Sequence, residues 1–330
     1  MLPQIRFCPR NISVRSVLFC AFLLLPSLAL AQLPPALAPP TPDAGEPIFS
    51  SEARYVTLNV TVTDKNDHLV TNLQEGAFQV FENNILQTIK TFRHEDVPVS
   101  MGLVIDNSGS MRSKRAGVEA SALTLVKDSN PQDESFVVNF NDEPYLDQGF
   151  TSDIAVLQKG LERIDSKGGT AMRDAIRVSI DYLHDKAKHD KKVIIVITDG
   201  NDNASMVTLD SLVKLAQQDG TLIYAIGLLG EEDKSDAAKA KRALKALVDA
   251  TGGQVFYPKD VSEVEPIAHE VAHDIRNQYS ILYTPLNANL DGTFRAIKVI
   301  VKASGNPVAR TRLGYWATPS RKPTGTKNPQ

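Results

Sequence analysis

The sequence predicts an α/β fold: a doubly wound, Rossmann-like sheet inserted in, or flanked by, a small all-β, sandwich-like domain. Three observations carry this. Between residue 99 and about residue 278, short and nearly continuous apolar runs (99–105, 136–140, 193–198, 222–227, 254–257) are separated by helical stretches, the pattern of strands covered on both faces by helices. Ahead of them, Val56, Leu58, Val60 and Val62 alternate with Thr57, Asn59, Thr61 and Thr63, as in a half-buried strand. After Asn277 the chain returns to strand-like runs at 279–284, 294–302 and 308–316, separated by Asp291-Gly292 and Ser304-Gly305-Asn306-Pro307, which favour turns.

The first 31 residues hold Arg6, Arg10 and Arg15 but no acid, then an apolar run over 17–25 and Ala29-Leu30-Ala31. That order describes a secretory signal peptide cleaved before Gln32; the run is too short to span a bilayer, so no stable membrane span is expected after cleavage. Cys8 and Cys20 both lie in this segment, so the mature chain has no disulfide, thiolate metal site or cysteine nucleophile. Without the three arginines, 33 basic residues face 39 acidic ones, a balance unsuited to nucleic acid. Hydrophobic residues at 42% and charged residues at 23% suit a globular chain. Six prolines over 32–50 (Pro34, Pro35, Pro39, Pro40, Pro42, Pro47) read as an extended linker.

The first β flank, 51–97, adds strands at 77–82 and 85–93 across the turn-prone Asn83-Asn84. The second covers 277–318, and the polar tail 319–330 reads as disordered. Each flank is near the lower limit for burying a core alone, so the two are expected to pair into one sandwich around the α/β segment, 98–276.

Chemistry concentrates at strand ends. Asp106-Asn107-Ser108-Gly109-Ser110 follows the first buried strand, Gly168-Gly169-Thr170 precedes a helix, and Thr198-Asp199-Gly200 ends the strongest strand. In an open α/β sheet, ligands gather at the carboxyl ends of the strands. Asp106, Ser108, Ser110, Thr170 and Asp199 offer only carboxylate and hydroxyl oxygens, which suit Mg²⁺ (or Mn²⁺ or Ca²⁺) rather than zinc or copper. With neutral hydroxyls supplying several bonds, such a cation stays electrophilic and suits an incoming carboxylate. Asp-x-Ser-x-Ser alone arises by chance in about one chain in ten of this length; the five residues in order and context are far more specific. Asn107, Met111, Arg112, Arg173, Asn201 and Asp202 stand beside them in sequence and are expected to form the rim that contacts a partner.

The stretch Val104 to Met111, the Gly-Gly-Thr loop and Ile197-Thr198-Asp199-Gly200 resemble the metal-ion-dependent adhesion site of von Willebrand factor A (VWA) domains, over roughly 98–276. Phe78-Gln79-Val80-Phe81-Glu82, residues 251–257 and Gly314-Tyr315 resemble the exported acidobacterial VWA-related family. The resemblance implies one antiparallel edge strand near 145–150. It also implies direct metal bonds from Ser108, Ser110 and often Thr170, with Asp106 and Asp199 bonding directly or through water. The function implied is adhesion: a periplasmic or secreted, non-enzymatic module binding a protein that presents an acidic side chain.

Two other classes of reading stand beside it: an enzyme, at the histidines or at the strand-end site, and a structural component. His269-Glu270-Val271-Ala272-His273 matches the H-E-x-x-H pattern of zinc peptidases, but the apolar face of Val264, Ile267, Val271 and Ile275 puts both histidines toward solvent, and only His184, His189 and scattered acids offer a third ligand. Phosphoryl transfer at Asp106 lacks a second acid two residues on, since position 108 is Ser, and there is no Gly-x-Ser-x-Gly elbow. The third reading is an envelope component whose metal only stiffens its loops. The charged stretch 230–245 reads as a solvated loop and helix start, or as a further rim contact.

Overall fold

The computed structural model describes residues 55–94, 96–162 and 166–322. The signal-peptide and linker expectations, and the tail beyond 322, lie outside the described residues.

The N-terminal flank forms β1 (Val56–Thr63), β2 (Phe78–Glu82), β3 (Ile85–Gln87) and β4 (Ile89–Arg93). The α/β body follows, with β5 (Val99–Asp106), α1 (Arg115–Asp128), β6 (Glu134–Phe140), β7 (Pro144–Thr151), α2 (Ile154–Leu161), α3 (Met172–Lys186), β8 (Lys191–Thr198), α4 (Leu209–Asp219), β9 (Leu222–Gly227), α5 (Lys234–Thr251), β10 (Val255–Phe256) and α6 (Val264–Arg276). The C-terminal flank adds β11 (Tyr279–Tyr283), β12 (Phe294–Val301), β13 (Val308–Arg310) and β14 (Gly314–Trp316).

The central sheet has the order β10-β9-β8-β5-β6-β7, parallel except for β7, which runs antiparallel to β6 at one edge. Every residue of β5, β6 and β9 is buried, which is why these segments read as continuous apolar runs rather than alternating ones. One face packs under α1, α2 and α6 through Val118, Leu125, Leu157, Val264 and Val271. The other packs under α3, α4 and α5 through Ile176, Ile180, Leu212, Leu244 and Leu247. Each such fully buried aliphatic side chain stabilises by ~1.5–3 kcal/mol relative to exposure. The chain leaves β5 toward β6 on one side and returns to place β8 on the other, so the topological switch point lies between β5 and β8.

Both flanks contribute to both remaining sheets, β13-β1-β11-β4 and β14-β12-β2-β3. Leu58 opposes Ile281 and Val60 opposes Tyr279, while Val80 opposes Val299 in the second sheet. Val56, Leu58, Val60, Val62, Phe78, Val80, Tyr279, Ile281, Tyr283, Ile297 and Tyr315 form one core between them. The fold is therefore the α/β sheet with an antiparallel sandwich built from its two flanks.

Two expectations on strands need correction. Residues 85–93 are not one strand: β3 and β4 belong to different sheets, with Thr88 between them. Residues 308–316 likewise divide into β13 and β14 on opposite sheets. A strand that turns the corner of a sandwich keeps strand-like composition through the bend, so composition does not reveal the switch. At the second corner, Thr311 Oγ1 donates to Asn59 O at 2.8 Å, Arg312 Nη2 donates to Thr57 O at 3.0 Å and Leu313 N donates to Ala250 O at 3.3 Å. This corner thus fastens the sandwich to the end of α5.

Candidate metal centre

Asp106 ends β5 at the switch point, with its side chain fully buried. Its Oδ1 accepts the Ser108 N–H at 2.8 Å and its Oδ2 accepts the Thr198 hydroxyl at 2.6 Å. Burial pushes the Asp106 carboxyl up to about 6; these hydrogen bonds oppose the shift and the neighbouring Asp199 charge adds to it.

The loop after β5 then turns back over the strand end. Ser108 Oγ lies 3.1 Å from Ser110 Oγ, and Ser110 Oγ donates to Asp199 Oδ1 at 2.8 Å. Lys114 Nζ donates to the other oxygen, Asp199 Oδ2, at 2.8 Å. Asp106, Ser108, Ser110 and Asp199 therefore form one continuous oxygen cluster bridging β5 and β8.

Thr170 reaches the cluster from the loop before α3. The Gly168 carbonyl accepts the Gly109 N–H at 3.4 Å, Gly169 N donates to Asp142 Oδ1 at 2.7 Å, and Thr170 N donates to Asn203 Oδ1 at 2.9 Å. Thr170 is 5% exposed, and its Oγ1 lies 3.8 Å from where a Cβ on Gly200 would stand, beside Asp199. All five candidate ligands thus sit at one end of the sheet. Among the described residues no group of three or more His, Cys, Asp or Glu side chains is placed to hold an ion. The donor set instead combines two carboxylates with three hydroxyls, which fits a hard divalent cation.

The predicted rim divides. Met111 is fully buried in the core under α1, because the short helical turn that carries Ser110 directs the next side chain inward; it cannot serve as rim. Asn107 is 6% exposed and accepts the Ser166 hydroxyl at 3.0 Å. Asp202 accepts the Arg173 N–H at 2.7 Å and Arg173 Nη2 at 3.0 Å, so this pair joins the loop after β8 to the start of α3. Arg112 is exposed, with Nη2 donating to Ser166 O at 2.9 Å, and Asn201 is half-buried. The loop's prominent exposed side chain is one the sequence reading passed over: Met206, 92% exposed. It does not stand on slack chain, because Asp174 accepts the N–H groups of Met206 and Val207 at 2.9 and 3.0 Å, and Ser205 bonds Asp202 through both N–H and hydroxyl.

Three more charged residues outside the expected ligand set bear on the site. Lys114 pairs with Asp199 as above. Arg115, 1% exposed, runs beneath the site: Nη2 donates to Asn139 Oδ1 at 2.6 Å and Leu161 O at 2.8 Å, Nη1 to Asp106 O at 3.4 Å and Nε to Glu119 Oε1 at 3.1 Å. Glu232, in the charged stretch 230–245, approaches Gly200 from the loop after β9; burial and then the Asp199 charge raise its carboxyl above the usual range. Charged residues at a helix start usually face water, which hid Lys114 and Arg115; the stretch holding Glu232 reads in sequence as a solvated loop or a further rim contact.

His269 and His273 are exposed on α6. His269 contacts Asp128, and both histidines line a cleft of about 930 Å³ with His94 and Glu270. Asp128 is the last residue of α1 and the oxygen cluster lies beyond its first; this helix of 14 residues separates the two places by ~21 Å.

Residues 101–201 match the family model described as von Willebrand factor type A domain. Calcium-activated chloride channel regulator 1 of Equus caballus is 28% identical over 170 residues, covering 49% of this chain and 17% of that protein. Inter-alpha-trypsin inhibitor heavy chain H2 of Mus musculus is 25% identical over 191 residues, covering 52% of this chain and 20% of that protein. The chain thus spans a fifth or less of the length of these relatives. The solved structure of von Willebrand factor type A from Catenulispora acidiphila covers 81% of this chain and 75% of its own at 15% identity, with a TM-score of 0.49. Among the described residues no helix is long and apolar enough to cross a membrane. Residues 101–201 of the α/β body thus carry the signature of a von Willebrand factor type A domain.

Proposed function

We propose that this chain is an exported, non-enzymatic adhesion module that captures a protein partner through a divalent cation, Mg²⁺ or else Mn²⁺ or Ca²⁺, held by Asp106, Ser108, Ser110, Thr170 and Asp199. The observation that carries the reading is the oxygen cluster at the switch point, joined by contacts of 2.8 Å between Ser110 and Asp199 and 3.1 Å between the two serines. When bound, the cation offers an electrophilic position that suits a partner's carboxylate. Asp106 and Asp199 supply the charge, while the hydroxyls supply neutral bonds. Thr198 and the Ser108 N–H fix the Asp106 carboxylate, and Arg115 holds the strand end that presents it.

One metal–carboxylate bond cannot carry a protein interface, and apolar anchors usually supply much of the energy. Met206, held up by a pinned loop, is suited to that role, with exposed Arg112 on the loop after β5. Export rests on the basic start, apolar run and Ala-x-Ala of residues 1–31.

Isothermal titration of Mg²⁺ and Mn²⁺ into wild type and Asp106→Ala tests the centre: one ion should bind wild type and none the variant. Capture of envelope proteins with and without EDTA then separates adhesion from a metal that only stiffens loops. Capture that ignores EDTA and Ser108→Ala would leave the fold standing and the mechanism wrong.

A further inference from the structure

We infer that Glu232 is an internal carboxylate ligand of this centre, one that would compete with the carboxylate a partner brings. The inference rests on the metal reading above. The loop after β9 is stitched to the strand end that bears Asp199, because Leu228 N donates to Thr198 O at 2.9 Å. From that loop Glu232 returns over the site. Its Oε1 lies 3.0 Å from where a Cβ on Gly200 would stand, and Thr170 Oγ1 lies 3.8 Å from the same point. Glycine at 200 thus leaves room for a carboxylate and a candidate ligand hydroxyl to approach each other beside Asp199.

The charges agree. Asp199, Asp233 and Asp236 repel Glu232 and Lys114 attracts it. Among the described residues no donor is hydrogen-bonded to the Glu232 carboxylate, although the side chain is half-buried. A half-buried carboxylate without a donor, next to another carboxylate, is costly unless a cation joins them. With Asp199, Glu232 would bring two ionised carboxylates to the hydroxyls of Ser108, Ser110 and Thr170, the charge of one divalent ion, with Asp106 bonding through water. Asp233 and Asp236, which follow Glu232, belong to the start of α5, where the helix dipole favours them. Such a ligand tightens metal binding by adding charge to the donor set, and it makes partner capture an exchange of one carboxylate for another.

Mn²⁺ is the probe, followed by EPR of the free ion and by water-proton relaxation of the bound one, with wild type, Glu232→Gln, Glu232→Ala and Asp106→Ala. Both Glu232 variants should bind Mn²⁺ about tenfold more weakly, as expected for losing one charged ligand. Each bound ion should relax water faster, since water replaces the lost carboxylate, and added acetate should reverse that gain in Glu232→Ala more than in wild type. Unchanged affinity and relaxivity in both Glu232 variants, with binding lost in Asp106→Ala, would reject Glu232 as a ligand while keeping the centre. No Mn²⁺ bound by wild type would reject the centre, and this inference with it.

Discussion

The Thr198 hydroxyl donates to Asp106 Oδ2 at 2.6 Å across the boundary between β8 and β5. It is one of two donors that hold a buried carboxylate whose burial has raised it to about 6. A group raised on folding contributes stability that is complete below its unfolded value and is lost as pH rises through the folded one. With chelator present, Asp106→Asn should therefore gain on wild type as pH rises from 4 to 7, by at most ~3 kcal/mol. Urea unfolding at several pH values measures this; a difference independent of pH would refute the buried-charge account.

Lys191 is 9% exposed and donates to the Ile275 carbonyl. Burial lowers its amine to about 8, although Asp274, Asp96 and Asp133 pull the other way. The unfolded chain then binds more protons than the folded one above pH 8, so stability contributed here rises from that pH toward the ordinary lysine value. Lys191→Met should be more stable than wild type at pH 7, by at most ~3 kcal/mol, with the advantage shrinking toward pH 10. A variant less stable at pH 7 would mean that the carbonyl contact outweighs the burial.

Gly252 ends α5 with φ of +89°, and a Cβ there would stand 2.6 Å from the backbone of Thr311 and Arg312. Gly252→Ala combines left-handed strain with a backbone clash at the corner joining sandwich to α/β body, and should cost ~2–4 kcal/mol. Gly305→Ala, at φ of +84° with nothing within 4 Å, should cost only ~1 kcal/mol. Equal melting temperatures for the two variants would show that the corner yields freely.

Met206→Ser should leave Mn²⁺ affinity unchanged, because the side chain is 92% exposed and only its backbone is pinned by Asp174. Partner capture should weaken by tenfold or more if this residue is an apolar anchor. Surface plasmon resonance against a captured partner decides: undiminished affinity would move the anchor elsewhere on the rim.

Much of this molecule was written in local sequence. The runs 99–105, 136–140, 193–198 and 222–227 gave the buried strands, because burial on both faces demands unbroken apolar character. Val56 to Val62 gave a one-sided strand by the same logic. Asp106, Ser108, Ser110, Thr170 and Asp199 were legible as candidate ligands because strand-end position and oxygen chemistry are both local properties. Only the tertiary structure could divide 85–93 and 308–316 between two sheets, since a strand turning a corner keeps its composition. Only it could send Met111 into the core, join Arg173 to Asp202, or bring Lys114 and Glu232 to Asp199. Those relations join residues from 29 to 85 positions apart in the directly bonded pairs, and a charge at such a distance reads as solvated until the fold removes its water.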